Sequence, residues 1–379
     1  GDSGNGGITV EADDSEKEYT YTFEVPTVAS TQLGAETPAV LWSRFAHLEG
    51  SILSKSESFV LDPSAMRFEW KKKDDANWNT LASTQEGENY KAILTGLQPE
   101  TAYMYRLVYS KGSDQYASDE VMFKTESATP LPYGDMETWV ADGKISYLGA
   151  VKDFWDSSNP GGATYIGSNT FGDTETVHTG GMSAQLASKW AVLKFAAASL
   201  YVGQFVSLVG TKGAKIDFGR PFTSRPTQLK GWFQYKGGNI NRVSGITSIP
   251  GTPVAKDDPD LWSAYIVLTN GTYRLDNTDM TGTSKDFASI LRTGKDASGF
   301  DVIAYGVLPD AECVTSSEWK QFSIDLTYRN LVEKPTHIII VFSSSKYGDY
   351  FVGCDSSVLY LDDLELIYGD SPKLLGSGN

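Results

Sequence analysis

Sulfur, imidazole and net positive charge are all scarce in this 379-residue chain, and each shortage removes a class of function. Two cysteines, Cys313 and Cys354, are too few for a disulfide framework or a four-cysteine zinc site. They read either as buried free thiols or as one disulfide permitted by an oxidising compartment, and neither reading carries chemistry. The three histidines, His47, His178 and His337, are scattered without ligand spacing or a recognisable motif, so neither a metal centre nor a nucleophilic triad is signalled. Lys and Arg total 32 against 48 Asp and Glu; the net charge of −16 repels a phosphate backbone, so nucleic acid is not an expected partner. No apolar run approaches the roughly 20 residues that a membrane-spanning helix needs. Long helical periodicity is almost missing.

What the chain does have is glycine and aromatic residues: 37 Gly, 20 Tyr, 17 Phe and 9 Trp. Apolar residues come in short runs between Gly, Asn, Asp, Ser and Thr, which is the pattern of sandwiches and barrels, so the expected class is all-β. The length favours two domains. Residues 1–18, rich in Asp, Glu and Gly, read as a flexible acidic leader. This leader resembles the segment that follows the lipid-modified cysteine of surface lipoproteins in Bacteroidetes, which implies an extracytoplasmic place, at the outer membrane or cell surface or in the periplasm, and a lipid anchor on the precursor. Residues 19–126 form the first expected domain, 127–132 (with Pro130 and Pro132) a linker, 133–369 the second domain and 370–379 a tail.

In the first domain, N-Y-K-A-I-L-T-G-L-Q-P-E-T-A-Y-M-Y-R-L-V-Y from Asn89 gives an alternating strand, a turn on Gly96 and Pro99, and a second alternating strand. It resembles the E–F region of fibronectin type III domains, and Tyr103 holds the place of the tyrosine whose hydroxyl turns back on the corner. Trp42 is expected to supply a core aromatic to this domain, and the stretch from Trp42 to the strand around Phe68 reads as an ornamented loop facing the second domain. A sandwich of this kind implies a spacer rather than an active domain.

The second domain opens with Y-G-D-M-E-T-W at 133–139 and closes with S-S-V-L-Y-L-D-D-L-E-L-I-Y at 356–368. These ends resemble the first and last strands of carbohydrate-binding jelly rolls. The stretches A-A-A-S-L-Y-V-G-Q-F, F-G-R-P-F-T-S-R-P-T-Q-L-K-G-W-F-Q-Y-K and S-S-S-K-Y-G-D-Y-F-V-G look like the putative carbohydrate metabolism family of gut Bacteroidetes. The resemblance implies a polysaccharide or oligosaccharide partner, with other glycan-utilisation surface proteins as further partners. Related jelly rolls also imply a structural calcium, for which Asp135, Glu137 and Asp362 hold the matching places; no cofactor is otherwise required.

Sugars present hydroxyl rims and apolar C–H faces, so their sites combine flat rings with planar hydrogen-bonding groups. Period-two reading of residues 229–236 puts Leu229, Gly231, Phe233 and Tyr235 on one face, and Lys230, Trp232, Gln234 and Lys236 on the other. Trp232 is thus either a ring capped by loops or a ligand platform. Arg220 and Arg225, each followed by a proline, are candidates for sugar hydroxyls or a carboxylate. Two aperiodic loops add Trp155 and Asn159, and Tyr347, Asp349 and Tyr350. Trp262 and Trp319 read as packing residues beside apolar strands. Glycoside hydrolysis needs a carboxyl pair at defined separation; Asp153, Asp156, Asp217, Asp349 and Asp355 are available, but no pair is singled out. The expected function is therefore noncatalytic glycan binding, with a glycoside hydrolase and a structural adhesion or assembly protein as alternatives.

Overall fold

The computed structural model describes the backbone of residues 3–12 and 15–24, and residues 28–281 and 285–377 in full. The chain is all-β, with two short α-helices among the described residues, and divides into two compact units: 1–41 with 45–125, and 42–44 with 126–379.

In the first unit one sheet runs in the order Thr31–Ala35, Ala46–Lys55, Asn89–Leu94, Thr84–Glu86. The other runs Asp114–Ala117, Ala102–Lys111, Met66–Lys72, Asn79–Ala82, with Val121–Lys124 also pairing to Ala102–Lys111. Alternate residues of both sheets meet in one core, where Leu48 and Tyr90 of the first sheet join Phe68, Tyr105 and Leu107 of the second. That arrangement is a β-sandwich. The Tyr103 hydroxyl accepts a hydrogen bond from the Gln98 backbone N–H at 2.9 Å, so it satisfies a backbone donor at the corner between the two strands.

Three expectations about this half of the chain need correcting. The stretch read as an ornamented loop contains the ten-residue strand Ala46–Lys55, whose first five residues alternate buried and half-buried. Trp42 belongs to the second unit: its indole N–H donates to Leu331 O at 3.0 Å, its ring meets Tyr328 edge-on at 4.8 Å, and the Arg225 guanidinium lies 4.2 Å above it. In the leader, residues 1, 2, 13 and 14 lie outside the described residues, while Ser3–Ala12 pairs antiparallel with Ser15–Glu24. The β-forming Y-T-Y-T-F run at 19–23 outweighs the acidic composition that suggested a tether.

The second unit packs a five-stranded sheet on a ten-stranded one. The five run Thr170–Asp173, Ser183–Ala187, Val358–Ile367, Gln228–Lys236, Ser316–Asp325. The central path of the ten runs Tyr273–Asp276, Gly213–Phe218, Ser199–Val209, His337–Ser343, Ser263–Thr269, Val302–Val307. Aromatic rings join the layers: Phe233 meets Trp262 at 4.6 Å, and Phe322 meets Phe342 at 6.0 Å. Gly231 is needed in this layer because a Cβ there would stand 2.4 Å from Leu364 Cδ2 and 2.7 Å from Phe322 Cζ. The far face of the ten-stranded sheet carries a second apolar cluster, in which Val267, Ile339 and Val341 pack beneath the helix Phe287–Thr293. Cys313 and Cys354 are free thiols, both buried.

Candidate functional site

The strand Gln228–Lys236 alternates as its sequence predicts: Leu229, Gly231, Phe233 and Tyr235 are buried, while Lys230, Trp232 and Gln234 are half-buried on the other face. Cross-strand register then builds a patch on the outer face of the five-stranded sheet, because directly paired residues share a face. One row runs Phe171, Gln185, Tyr360, Gln234; the next runs Asp362, Trp232, Gln321. The side-chain amides of Gln185, Gln234 and Gln321 have no hydrogen-bond partner among the described residues, and none of the three is buried. They leave donors and acceptors facing water beside aromatic rings.

Over this face lies the loop before Ser183–Ala187. His178 stacks on Trp232 with ring centroids 4.1 Å apart at 18°, and Trp319 meets the same imidazole edge-on at 5.6 Å. The loop is anchored from below: His178 Nδ1 lies 2.6 Å from Asp363 Oδ2, and Thr179 Oγ1 donates to the same carboxylate at 2.7 Å. Asp362 beneath it accepts the backbone N–H groups of His178 at 2.9 Å and Thr179 at 3.3 Å. Burial pushes the Asp362 carboxyl up to about 6. One face of the Trp232 ring is thus capped by His178, and the ring stays half-buried. Trp319 is likewise half-buried on the outer face and not in the core. Sequence reasoning missed it although the signal was present: with Phe322 and Ile324 facing inward, alternation sends Trp319, Gln321 and Ser323 outward. Nothing in the sequence pointed to His178, which a loop brings in.

The other predicted residues lie elsewhere. Trp155 is fully buried, its N–H donating to Pro132 O at 2.8 Å. Asn159 is also fully buried; its amide donates to Ser146 O at 2.8 Å and Thr170 O at 2.7 Å and accepts from the N–H groups of Asn169 and Thr170, both at 2.9 Å. Such a residue satisfies backbone and has nothing left for a ligand. Arg225 is buried in a bidentate pair with Glu126, at 2.7 and 3.0 Å. Arg220 is half-buried and donates to Lys152 O at 3.1 Å. Tyr347 and Tyr350 pack against Ile240, Ile249 and Val352.

Asp349 ion-pairs with Lys285 at a cavity of about 250 Å³ on the far face of the ten-stranded sheet. Ser157, Ser158, Gly161 and Gly162 also line it, so the two anticipated loops do converge there, through Asp349 on one side and a short glycine-containing stretch on the other. Asp349 is the one carboxylate among the described lining residues. Of the other candidate acids, Asp217 pairs with Arg274, Asp355 pairs with Arg242, buried Asp156 accepts the N–H groups of Phe205 and Ser157 at 2.8 and 2.7 Å, and Asp153 is exposed.

The calcium expectation fails a test of fit. Glu137 accepts the Gly181 N–H at 3.0 Å and the Met182 N–H at 3.3 Å, Asp135 accepts the Glu137 N–H at 3.3 Å, and Asp362 is taken up by the loop. Among the described residues no three acidic, His or Cys side chains are grouped to hold a metal ion.

Two all-β units, the larger carrying indole, imidazole and amide groups on the outer face of one sheet, define a modular β-sandwich protein. The chain belongs to the family described as putative carbohydrate metabolism domain, which it matches over residues 135–367. Among solved structures it is similar to a putative glycoside hydrolase from Bacteroides vulgatus, with 22% identity over 63% of this chain and 97% of that one and a TM-score of 0.44. A putative glycoside hydrolase from Bacteroides thetaiotaomicron is 17% identical over 91% of this chain and 99% of that one, with a TM-score of 0.47. No curated protein matches the chain.

Proposed function

We propose that the protein binds a polysaccharide or oligosaccharide without cleaving it, on the outer face of the five-stranded sheet. The observation that carries this reading is the register-matched set of unpartnered amides, Gln185, Gln234 and Gln321, beside the half-buried Trp232–His178–Trp319 cluster. Amides match sugar hydroxyls in both donor and acceptor sense, and indole surface receives the C–H face. The family supports a carbohydrate partner. The hydrolase alternative draws less support, because four of the five candidate acids are taken up by separate partners and Asp349 is the one carboxylate among the described residues lining the cavity. The first unit is proposed to be a fibronectin type III-like spacer, supported by its two facing sheets and corner tyrosine, and the whole to be a surface lipoprotein or otherwise extracytoplasmic protein.

Glycan-array screening of the intact chain tests the reading. Binding to a glycan is expected, and Trp319→Ala combined with Gln234→Ala should weaken it at least tenfold while leaving the melting temperature nearly unchanged. Release of reducing ends from the bound glycan would transfer the assignment to a hydrolase. Wild-type affinity in the double variant would remove this face from consideration.

A further inference from the structure

The cavity on the ten-stranded sheet has chemistry opposite to that of the amide face. Its floor is the sheet itself, through Tyr201, Phe218, Tyr265 and Val341, and its walls include Phe205 and Phe351. Its mouth displays large apolar groups from three separate elements. Tyr165 from the helix Asn159–Ile166 is 59% exposed, Val192 and Leu193 at the tip of a hairpin are 65% and 76% exposed, and Leu208 from the strand Ser199–Val209 is 47% exposed. Single exposed apolar residues are ordinary, but a cluster rimming a cavity is not.

The hairpin tip is the least expected part. Ala191 pairs with Lys194, so Val192 and Leu193 form a two-residue turn. A two-residue turn with positive φ at its first central position alone favours Gly there, because Gly adopts that backbone without a Cβ penalty. Here Val192 has φ 54°, a costly conformation for a β-branched residue. Across the cavity Phe351 has φ 58°. Strained apolar residues on both sides of one opening, where a positive φ favours glycine, indicate that the opening itself is used.

Charge specifies the occupant further. Three lysines line the cavity in a chain of net charge −16. Lys285 pairs with Asp349 and Lys346 with Asp310. Lys194 has no carboxylate partner among the described residues: its ammonium donates to the Thr211 and Lys212 carbonyls and lies 3.9 Å above the Phe351 ring. The Tyr265 hydroxyl also borders the cavity, is shielded from water, and has no hydrogen-bond partner among the described residues.

We propose that this cavity binds a small amphipathic carboxylate, its apolar body against the Phe218 and Val341 floor and the Phe205 wall and its anion at Lys194. The volume of about 250 Å³ lies just below the range of about 300 to 1,000 Å³ usual for ligand sites, so the body is one short chain or one ring. The site is separate from the amide face in position and in ligand class, and it holds whether or not that face binds sugar.

Isothermal titration of the full chain with sodium decanoate and with 4-phenylbutanoate, both below micelle-forming concentrations, tests it. One-to-one saturable binding of at least one is expected, with decyltrimethylammonium at least tenfold weaker. Lys194→Met should weaken carboxylate binding about tenfold, the loss of one charge-assisted contact. Val192→Gly should weaken binding while holding or raising the melting temperature, since Gly accepts a positive φ at the first turn position. Equal binding of the cationic amphiphile, unchanged affinity in Lys194→Met, or no saturation by either carboxylate would overturn the proposal. Binding confined to phosphatidylglycerol vesicles and not competed by decanoate would also overturn it, by assigning the hairpin tip to a membrane surface.

Discussion

Asp260 is an acid whose role burial has settled. It accepts the Ser345 hydroxyl at 2.6 Å, the Ser357 hydroxyl at 2.8 Å and the Cys354 N–H at 2.8 Å, and desolvation pushes its carboxyl up to about 6. A carboxyl raised on folding binds more protons in the folded than in the unfolded chain between its two pKa values. Stability from this group therefore falls as pH rises from about 4 to about 6 and stays lower above. Asp260→Asn keeps an acceptor and removes the titration. Its stability relative to wild type, measured by urea unfolding, should improve by roughly 2–3 kcal/mol between pH 4 and pH 7; a difference independent of pH would refute the account. Tyr103→Phe, which leaves the Gln98 N–H without its acceptor, should cost about 1–2 kcal/mol. At this scale the sequence was legible wherever strand alternation governs, as for Trp232 and Gln234. It was illegible where a side chain's task is to satisfy backbone: Asn159 and Trp155 look the same in sequence whether they serve a ligand or a neighbouring carbonyl.

Strands whose two faces differ were the most legible elements. The strand Gln228–Lys236 announces its inner face through Gly231, and Gly231→Val, which would thrust a side chain into Leu364 and Phe322, should cost at least the 1–3 kcal/mol typical of overpacking in a chemical melt. Gly231→Ala should cost less; equal effects would show that the layer yields there. The strand Ala46–Lys55 was hidden because Gly50, Ser51 and His47 interrupt its apolar pattern, and because its last residues are exposed. The Ser3–Ala12 and Ser15–Glu24 pairing was hidden by composition, since acidic and glycine-rich stretches pair as readily as others once β-branched and aromatic residues alternate between them. No local pattern marks the Val192–Leu193 turn as a turn at all, because its residues are the wrong ones.

For the molecule as a whole, each unit has its own apolar core, so a defect should act on the unit that contains it. Glu126→Ala strips the buried Arg225 guanidinium of its bidentate carboxylate and should destabilise the second unit by about 3–5 kcal/mol. Lys334→Ala, at the exposed end of the same group, should cost less than about 1 kcal/mol. Calorimetry of the two variants distinguishes them, and a large effect of Lys334 would point to a network and not a pair. The two-unit division follows from length and the proline-containing stretch at 127–132, and the all-β class from composition and short apolar runs; the membership of Trp42 does not follow, because a buried tryptophan in sequence does not say which core receives it. The free thiols give this architecture a timer. Cys313 and Cys354 are 1% and 4% exposed, and burial pushes the Cys313 thiol up to about 12, so an alkylating reagent that attacks thiolate must wait for the larger sandwich to open. Labelling rates then count those openings, and any molecule that holds the sandwich closed, whether on the amide face or in the cavity, slows the count without needing a signal of its own.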